Sequence, residues 1–468
     1  MQVFALLLAA ALLRPEYRHD YPTMDEIRCL SASASRIYVA VPLGVYVIDR
    51  SSYRYIAAVT SADGLEGEAR LCAFDPARNE LLITCDERLY SYSGATGILT
   101  RLSPPFKDVR SIGVTLDGAW FETESGFWIK QRVADEYRQG TPPAGVTWFG
   151  NLDTLEPRDY SFLNPWFFTD NQLITYQMTL VRPDAQGRRL LVATDRGGIL
   201  VYDMRSGAVE ARIRLGPSGP RVRSIQAIDG RLWFLGGDMA TETDSGSGWQ
   251  YYLTSAGLSL PTGSSLLNRS LLNLGLREAT RAFLSDSGRL LVGTDRGLYA
   301  LGPDGRLVSV VNLSIPVNAL FRRDGRLVMG TDDGLFIVEP ESIARVEDPY
   351  FRSDWGVFSS GRTSDGRIWL GTLGGVLALD STDTWQHVIP PGFDLSRPVR
   401  AMAAAGSLLC FSNGAGLTVY DTRTNSWAAL DATTGLASDD VNALYADSSS
   451  LWVAARGIIT RIDIKGLR

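Results

Sequence analysis

One phrase recurs along this chain of 468 residues: an apolar strand ending in Gly-Thr or a small equivalent, a short turn with Gly, and a second apolar strand. The clearest copies are GRLLVGTDRGLYAL, GRLVMGTDDGLFIV and GRIWLGTLGGVLALD. Taking the Thr as reference, ten copies occur, at Val41, Cys85, Thr123, Thr194, Gly236, Thr294, Thr331, Thr372, Asn413 and Ala455. Seven of the nine spacings lie between 37 and 44 residues, so the chain has a true period.

Each period holds four strand signals. In the seventh unit, PVNALFR, RLVMGT, LFIVEP and IARVED are separated by turns, two of which contain Asp-Gly. Short apolar runs joined by such turns are typical of antiparallel hairpins, because Gly, Asn and Asp tolerate the positive φ that tight turns need. No unit shows the 3.6-residue apolar period of a helix. The sequence therefore predicts an all-β chain, a β-propeller of about ten four-stranded antiparallel blades.

The last unit supplies only three strands before Arg468, so we expect residues around Arg18 to Tyr21 to add the fourth. That pairing would cover the exposed edges of the terminal blade. It favours one propeller over residues 14–468, closed as a single ring by the N-terminal segment. Two smaller propellers are the alternative. The two longer spacings, 71 and 58 residues, place insertions at about 138–175 and 238–273.

The repeat also carries a family resemblance. TTGLASDDVNALYADSSSLWVAARGIITRID, from Thr433, resembles the two-component regulator propeller repeat, and segments near Asp63 and Asp365 match parts of it. The resemblance covers most of the chain as a short, degenerate repeat. It implies an extracytoplasmic ligand-sensing propeller. In that family a membrane helix and a signalling module typically follow, and this sequence contains neither after Arg468.

The N-terminal segment 1–13 contains the apolar run Val3–Leu13, which has the length of the apolar core of a signal peptide. Export to the periplasm or the medium is the favoured interpretation, with a buried N-terminal segment as the alternative. No other stretch approaches 18 apolar residues, so we expect no transmembrane segment.

Charge and histidine content exclude several functions. A formal net charge of -6 argues against a nucleic-acid partner. His19 and His387 are the only imidazoles, so multi-histidine metal sites and most Ser-His or Cys-His catalytic pairs lack their parts. No nucleotide-binding, EF-hand or hydrolase motif occurs. We therefore expect no metal, no cofactor and no catalytic set.

A register of polar residues is the main candidate site. Positions 13 residues before the reference, or slightly earlier where the turn is longer, form a collar on the innermost strands: Arg28, Arg70, Arg110, Arg223, Arg281, Asn318, Ser359, Arg400 and Asn442. Since innermost strands converge on the channel axis, these side chains would meet at one mouth. Guanidinium groups there suit carboxylate, sulfate or phosphate. The alternative is that each arginine only locks neighbouring blades together.

Aromatic residues in the insertions and on one further connection are the second candidate. They are Trp148, Phe149, Tyr160, Trp166, Phe167, Trp249, Tyr251 and Trp355. If exposed, they would bind a protein or a glycan; if buried, they would plug the channel.

Two cysteines flank a predicted hairpin turn. If Phe74 pairs with Leu81, Cys72 faces Ile83 and Cys85 is its diagonal neighbour. That arrangement would permit a Cys72–Cys85 disulfide, with buried free thiols as the alternative.

Taken together, these features favour an exported, non-catalytic propeller that binds a protein, a glycan or a small anion as a sensing or scaffold module. A lyase or glycoside hydrolase using channel carboxylates and arginines is one alternative. A structural subunit of a cell-surface assembly is the other.

Overall fold

The computed structural model describes residues 13–467 except 133, 152–156, 164–165, 171–173, 185, 229, 237–238, 245, 247, 254–279, 287–288, 302–306, 340–341, 348–354, 381, 383, 391–395 and 413. The run Val3–Leu12 and most of the insertion predicted at 238–273 lie outside these residues. Within them the regular structure consists of strands and five short 3-10 helices, at Pro15–Tyr17, Ser61–Asp63, Pro157–Asp159, Ser161–Leu163 and Ile464–Leu467.

The strands form ten antiparallel sheets, and the first four follow one another along the chain after β1 (Arg18–Pro22). Sheet 1 contains β2 (Cys29–Ala32), β3 (Arg36–Val41), β4 (Gly44–Asp49) and β5 (Tyr55–Val59). Sheet 2 contains β6 (Ala69–Asp75), β7 (Glu80–Cys85), β8 (Arg88–Ser93) and β9 (Leu99–Leu102). Sheet 3 contains β10 (Ser111–Val114), β11 (Gly118–Thr123), β12 (Gly126–Gln131), β13 (Tyr137–Gln139) and β14 (Thr147–Gly150). Sheet 4 contains β15 (Phe167–Thr169), β16 (Thr175–Pro183), β17 (Arg189–Thr194), β18 (Ile199–Asp203) and β19 (Val209–Ile213).

Six further sheets complete the chain. Sheet 5 contains β20 (Ser224–Ile228), β21 (Arg231–Leu235), β22 (Met239–Thr243) and β23 (Trp249–Leu253); sheet 6 contains β24 (Thr280–Asp286), β25 (Arg289–Thr294), β26 (Gly297–Leu301) and β27 (Leu307–Asn312). Sheet 7 contains β28 (Val317–Arg323), β29 (Arg326–Thr331), β30 (Gly334–Val338) and β31 (Ile343–Arg345); sheet 8 contains β32 (Val357–Arg362), β33 (Ile368–Thr372), β34 (Gly375–Leu379) and β35 (Trp385–Val388). Sheet 9 contains β36 (Met402–Ala405), β37 (Leu408–Ser412), β38 (Leu417–Asp421) and β39 (Ser426–Leu430); sheet 10 contains β40 (Val441–Ala446), β41 (Ser450–Ala455) and β42 (Ile458–Asp463), with β1 as its fourth strand.

The chain divides into two compact units. The six-sheet unit comprises Met1–His19, Gly219–Asp244 and Tyr251–Arg468, and the four-sheet unit comprises Asp20–Ser218 and Ser245–Gln250. In the six-sheet unit, innermost strands contact one another in the order β20, β24, β28, β32, β36 and β40, and β40 also contacts β20. In the four-sheet unit, β2 contacts both β6 and β16. These contacts follow the alternative of two smaller propellers rather than a single ring of about ten blades.

The recurring Gly-Thr has a physical cause in the contact between successive sheets. A Cβ on Gly330 would lie 2.6 Å from Val357 Cγ1, and one on Gly371 would lie 2.5 Å from the carbonyl oxygen of Val399. Only glycine lets the second strand of one sheet pack this closely on the innermost strand of the next. The Thr that follows closes the hairpin: Thr331 Oγ1 donates to the carbonyl of Gly334 at 3.0 Å, where φ is +108°.

Sheet 10 confirms the predicted role of the N-terminal segment. Its strand order is β1-β42-β41-β40, so Arg18–Pro22 supplies the missing outer strand. An Arg18 Nη1 hydrogen bond of 3.2 Å to the Gly435 carbonyl and a Leu13 amide bond of 2.9 Å to the Thr434 carbonyl fix the preceding residues. Leu13 is buried in the core between sheets 9 and 10. The last residue of the apolar run therefore packs in the fold.

The first insertion adds strands to the inner edges of two sheets. Strand β14 pairs with β10, and β15 pairs with β16, which makes sheets 3 and 4 five-stranded. Strand β14 also contacts β2 and β6. Segment 147–150 consequently fills the inside of the four-sheet unit, where the repeat alone would leave a channel.

A candidate anion site in the six-sheet unit

The six-sheet unit brings its part of the predicted collar together in one cavity of about 270 Å³. All six innermost strands contribute to the lining. The collar residues in that lining are Arg223, Arg281, Asn318, Ser359, Arg400 and Asn442. As far as the structure describes it, the lining contains three arginines and no Asp or Glu. The remaining surface is small or apolar, with four alanines contributed by residues 401–404 and 443.

β-Bulges explain why these polar side chains leave the strand ladder. Val317 pairs with Thr331 and Ala319 with Gly330, so Asn318 is an extra residue in β28. Arg281 in β24 and Asn442 in β40 stand in the same way between consecutive pairs. A bulge residue is left unpaired and its side chain is re-aimed. The sequence gave no signal for the bulges, and in β32 the extra residue is Phe358 rather than Ser359.

One side of this cavity is neutralised by acids that lie 14 residues after the collar. Asp295 accepts from Arg281 Nε, and Arg281 Nη1 donates to Asn318 Oδ1 at 3.0 Å. Asn318 Nδ2 in turn donates to Asp332 Oδ1 at 2.7 Å and to the Val357 carbonyl at 3.2 Å. Here the collar locks sheets 6, 7 and 8 together, as the alternative interpretation of the arginines predicts. Sequence reasoning had assigned both acids to turns.

The other side carries arginines without acids. Toward the residues that the structure describes, neither Arg223 nor Arg400 has a hydrogen bond or an ion pair from its guanidinium group. Arg400 lies over the Phe358 ring, 5.5 Å from the centroid. The positions 14 residues after Arg400 and Asn442 are Gly414 and Arg456; the one after Arg223 lies outside the described residues. The positive charge is therefore concentrated on sheets 9, 10 and 5.

In the four-sheet unit the collar arginines serve a different purpose. Arg28 pairs with Glu26 at 2.9 Å and with Glu68, on the connection to sheet 2, at 2.8 Å. Arg110 pairs with Glu124 at 2.6 Å. Arg70 is the extra residue of a bulge in β6 and is exposed. Since two of the three are bound by acids, the predicted collar splits into a neutralised part and the open cavity of the six-sheet unit.

The predicted aromatic surface also splits. Phe149, Trp249 and Tyr251 are buried, and Arg182 lies 4.2 Å from the centre of the Phe149 ring. Trp148, Tyr160 and Trp355 are partly buried: Trp148 contacts Phe127, Tyr160 contacts Phe162, and Trp355 contacts His387. Trp166 and Phe167 remain 45% and 53% exposed beside the edge strand β15. Both uses expected for the insertion therefore occur, a plug and an exposed aromatic pair.

The cysteines depart from the expected disulfide, since all four are free and buried. The predicted pairs Phe74–Leu81 and Cys72–Ile83 form, but the bulge at Arg70 makes Cys85 pair with Ala69. The Cys72 thiol points to the neighbouring sheet, where it donates to the Cys29 carbonyl at 3.7 Å and Cys29 Sγ donates to the Cys72 carbonyl at 3.3 Å. Burial first, and then the Cys29 thiol beside it, raise the pKa of Cys72 well above its ordinary value.

Two further searches concern chemistry and membranes. Among the described residues, no group of three or more His, Cys, Asp or Glu side chains is placed to hold a metal ion. The described part of the chain also contains no helix with the length and hydropathy needed to cross a bilayer.

Comparison with known proteins gives similarity of structure only. No protein-family model and no curated protein matches the sequence. The extracellular domain of a putative hybrid two component system from B. thetaiotaomicron is 13% identical, with a TM-score of 0.41, over 94% of this chain and 70% of that one. PorZ, a surface component of the type-IX secretion system of Porphyromonas gingivalis, is 13% identical, with a TM-score of 0.37, over 94% and 74%. A virginiamycin B lyase from Staphylococcus aureus is 13% identical, with a TM-score of 0.37, over 64% and 98%. TM-scores below 0.5 leave ligand and activity to the chain's own geometry.

Proposed function

We propose that this protein is an extracytoplasmic, non-catalytic propeller that binds a small anionic ligand in the cavity of its six-sheet unit. One observation carries the proposal: six innermost strands place three arginines and three neutral polar side chains around a single cavity whose described lining has no acid. Guanidinium groups bind carboxylate, sulfate and phosphate through paired N–H donors. The apolar run Val3–Leu13 supports the extracytoplasmic location.

The arrangement favours binding over the hydrolytic alternative. Glycoside hydrolysis needs two carboxyl groups about 5–10 Å apart across the scissile bond. Asp295 and Asp332 are the acids nearest to the collar in this site, and both are hydrogen-bonded to collar side chains. They act as charge partners in the wall of the cavity rather than as a free acid and base.

Binding of small anions by the purified full-length chain tests the proposal. Isothermal titration calorimetry with sulfate, phosphate and carboxylates at low salt should detect binding, which weakens as ionic strength rises. The double variant Arg223→Gln/Arg400→Gln should lose it while the melting temperature stays nearly unchanged, because neither guanidinium group pairs with a described residue. A large loss of stability, or unchanged binding, would show that these arginines serve the blades.

Trp166 and Phe167 favour a second candidate function in the four-sheet unit. Large aromatic side chains with about half of their surface exposed are common at protein interfaces and stack on sugars. A protein or glycan partner would bind beside β15. Trp166→Ala/Phe167→Ala should then abolish capture of that partner, whereas the partly buried Trp355→Ala should not.

A further inference from the structure

The cavity of the six-sheet unit has two unlike sides, and the basic side has an order that the contacts define. Strand β40 contacts both β36 and β20, so Asn442 stands between the strands that follow Arg400 and Arg223. The three residues therefore lie on consecutive sheets. A neutral amide separates two arginines, and the bound acids Asp295 and Asp332 lie beside the other collar positions.

The two arginines are also held apart. Phe358 lies on β32, which contacts β36 on the side away from β40. Because the Arg400 guanidinium lies over the Phe358 ring, its planar group is drawn toward sheet 8 and away from Arg223. Between them Asn442 donates through Nδ2 to the Asp440 carbonyl at 3.1 Å. Its side-chain oxygen accepts no hydrogen bond from the described residues.

We infer that the ligand is a short dicarboxylate whose two carboxylates are bound by Arg223 and Arg400, with Asn442 between them. The inference rests on the proposed function of this cavity and specifies its ligand class. Two separated planar forks each match one planar carboxylate, whereas a single tetrahedral anion needs donors that converge on one point. The cavity of about 270 Å³ holds roughly nine waters at about 30 Å³ each, which is room for a small diacid.

The matched test compares ligands of one chemistry with one or two charges. Full-length protein is titrated with acetate, with malonate, succinate, glutarate and adipate, and with inorganic phosphate and sulfate. At least one dicarboxylate should bind ten to a hundred times more tightly than acetate, because a second charged hydrogen-bonded contact is worth that factor.

Variants then assign the two contacts. Arg223→Gln and Arg400→Gln should each bring the best dicarboxylate down to the affinity of acetate. Asn442→Asp should abolish dicarboxylate binding, since it places a like charge between the two carboxylates. Arg70→Gln, at the same register position in the four-sheet unit, is the control and should change nothing. Unfolding midpoints of all variants show whether the fold is kept.

The outcomes separate the two claims. Phosphate or sulfate binding more tightly than every dicarboxylate, or equal affinity for acetate and the diacids, would overturn the dicarboxylate inference and leave the anion site standing. No binding of any of these anions at low salt would overturn both. Loss of binding in Arg70→Gln would place the site in the four-sheet unit instead.

Discussion

The buried ion pair between Arg50 and Asp184 gives the sharpest test of how the four-sheet unit is held together. Arg50 follows β4 of sheet 1 and Asp184 follows β16 of sheet 4, and their side chains are 9% and 4% exposed. Arg50 Nη1 also donates to the carbonyls of Ser33 and Ala34, at 3.4 and 3.2 Å. Removing the guanidinium therefore leaves a buried carboxylate without its cation.

We expect Arg50→Met to cost about 3–5 kcal/mol, the usual loss when one partner of a buried pair is deleted. For a unit of this size each kcal/mol lowers the melting temperature by about 2–4 °C, so the expected shift is roughly 6–20 °C. Calorimetry of the full-length chain at pH 7 measures it. The matched control is Lys107→Met, which breaks the exposed pair with Glu87 and should cost less than about 1 kcal/mol.

The pH dependence follows from the carboxyl group. Burial alone would raise the pKa of Asp184, but hydrogen bonds from the Arg189 amide and the Arg50 guanidinium outweigh burial and hold the pKa below its ordinary value. A depressed pKa contributes stability above the unfolded value of about 3.9, and that stability is lost as pH falls through the folded value. Without Arg50 the folded pKa rises, so the deficit of the variant should be largest at neutral pH and narrow toward pH 4.

A second variant keeps the reasoning open to refutation. Asp184 accepts the Arg188 and Arg189 amides at 2.9 and 3.2 Å, and Asn at this position can still accept them without a buried charge. Arg50→Met/Asp184→Asn should therefore be more stable than Arg50→Met alone. A double variant that is less stable than the single one, or an Arg50→Met shift no larger than that of Lys107→Met, would show that the pair does not join the two sheets.

Three further results follow from packing. The four buried thiols should react with Ellman's reagent over hours in the native protein and within seconds after unfolding; fast native reaction would contradict their burial. Tyr176→Phe removes a 3.2 Å bond to Asp170 and should cost about 1 kcal/mol in urea unfolding, whereas Asp170→Ala should cost several times more because it leaves the nearly buried Arg214 without that carboxylate. Gly371→Ala should destabilise the six-sheet unit by about 1–3 kcal/mol, while Gly219→Ala, with nothing within 4 Å of the new Cβ, should change the melting temperature little.

The repeat predicted the sheets and several registers correctly because both follow from local residue order. The pairing of Phe74 with Leu81 and the fourth strand from Arg18–Pro22 are examples. The division into six and four sheets was not predictable, since every blade has the same period and only contacts between distant strands, such as β20 with β40, decide which sheets associate.

The collar was predictable in position and not in chemistry. Thirteen-residue spacing found Arg223 and Arg400, which line the cavity. The same spacing also found Arg28 and Arg110, whose charges are met by glutamates from the connection to another sheet or from a turn. Whether an arginine is neutralised depends on side chains brought near it by the fold. The two outcomes are therefore alike in sequence.

The bulges on the innermost strands have a consequence for how such a protein changes its specificity. The extra residue has no partner in the ladder, so exchanging it alters neither strand register nor the apolar contacts of its neighbours. Arg281, Asn318, Phe358 and Asn442 already show that one backbone position accepts a cation, an amide or an aromatic ring. The collar therefore behaves as a set of interchangeable sockets, and new ligands can be selected by point substitution while the scaffold that carries them stays the same.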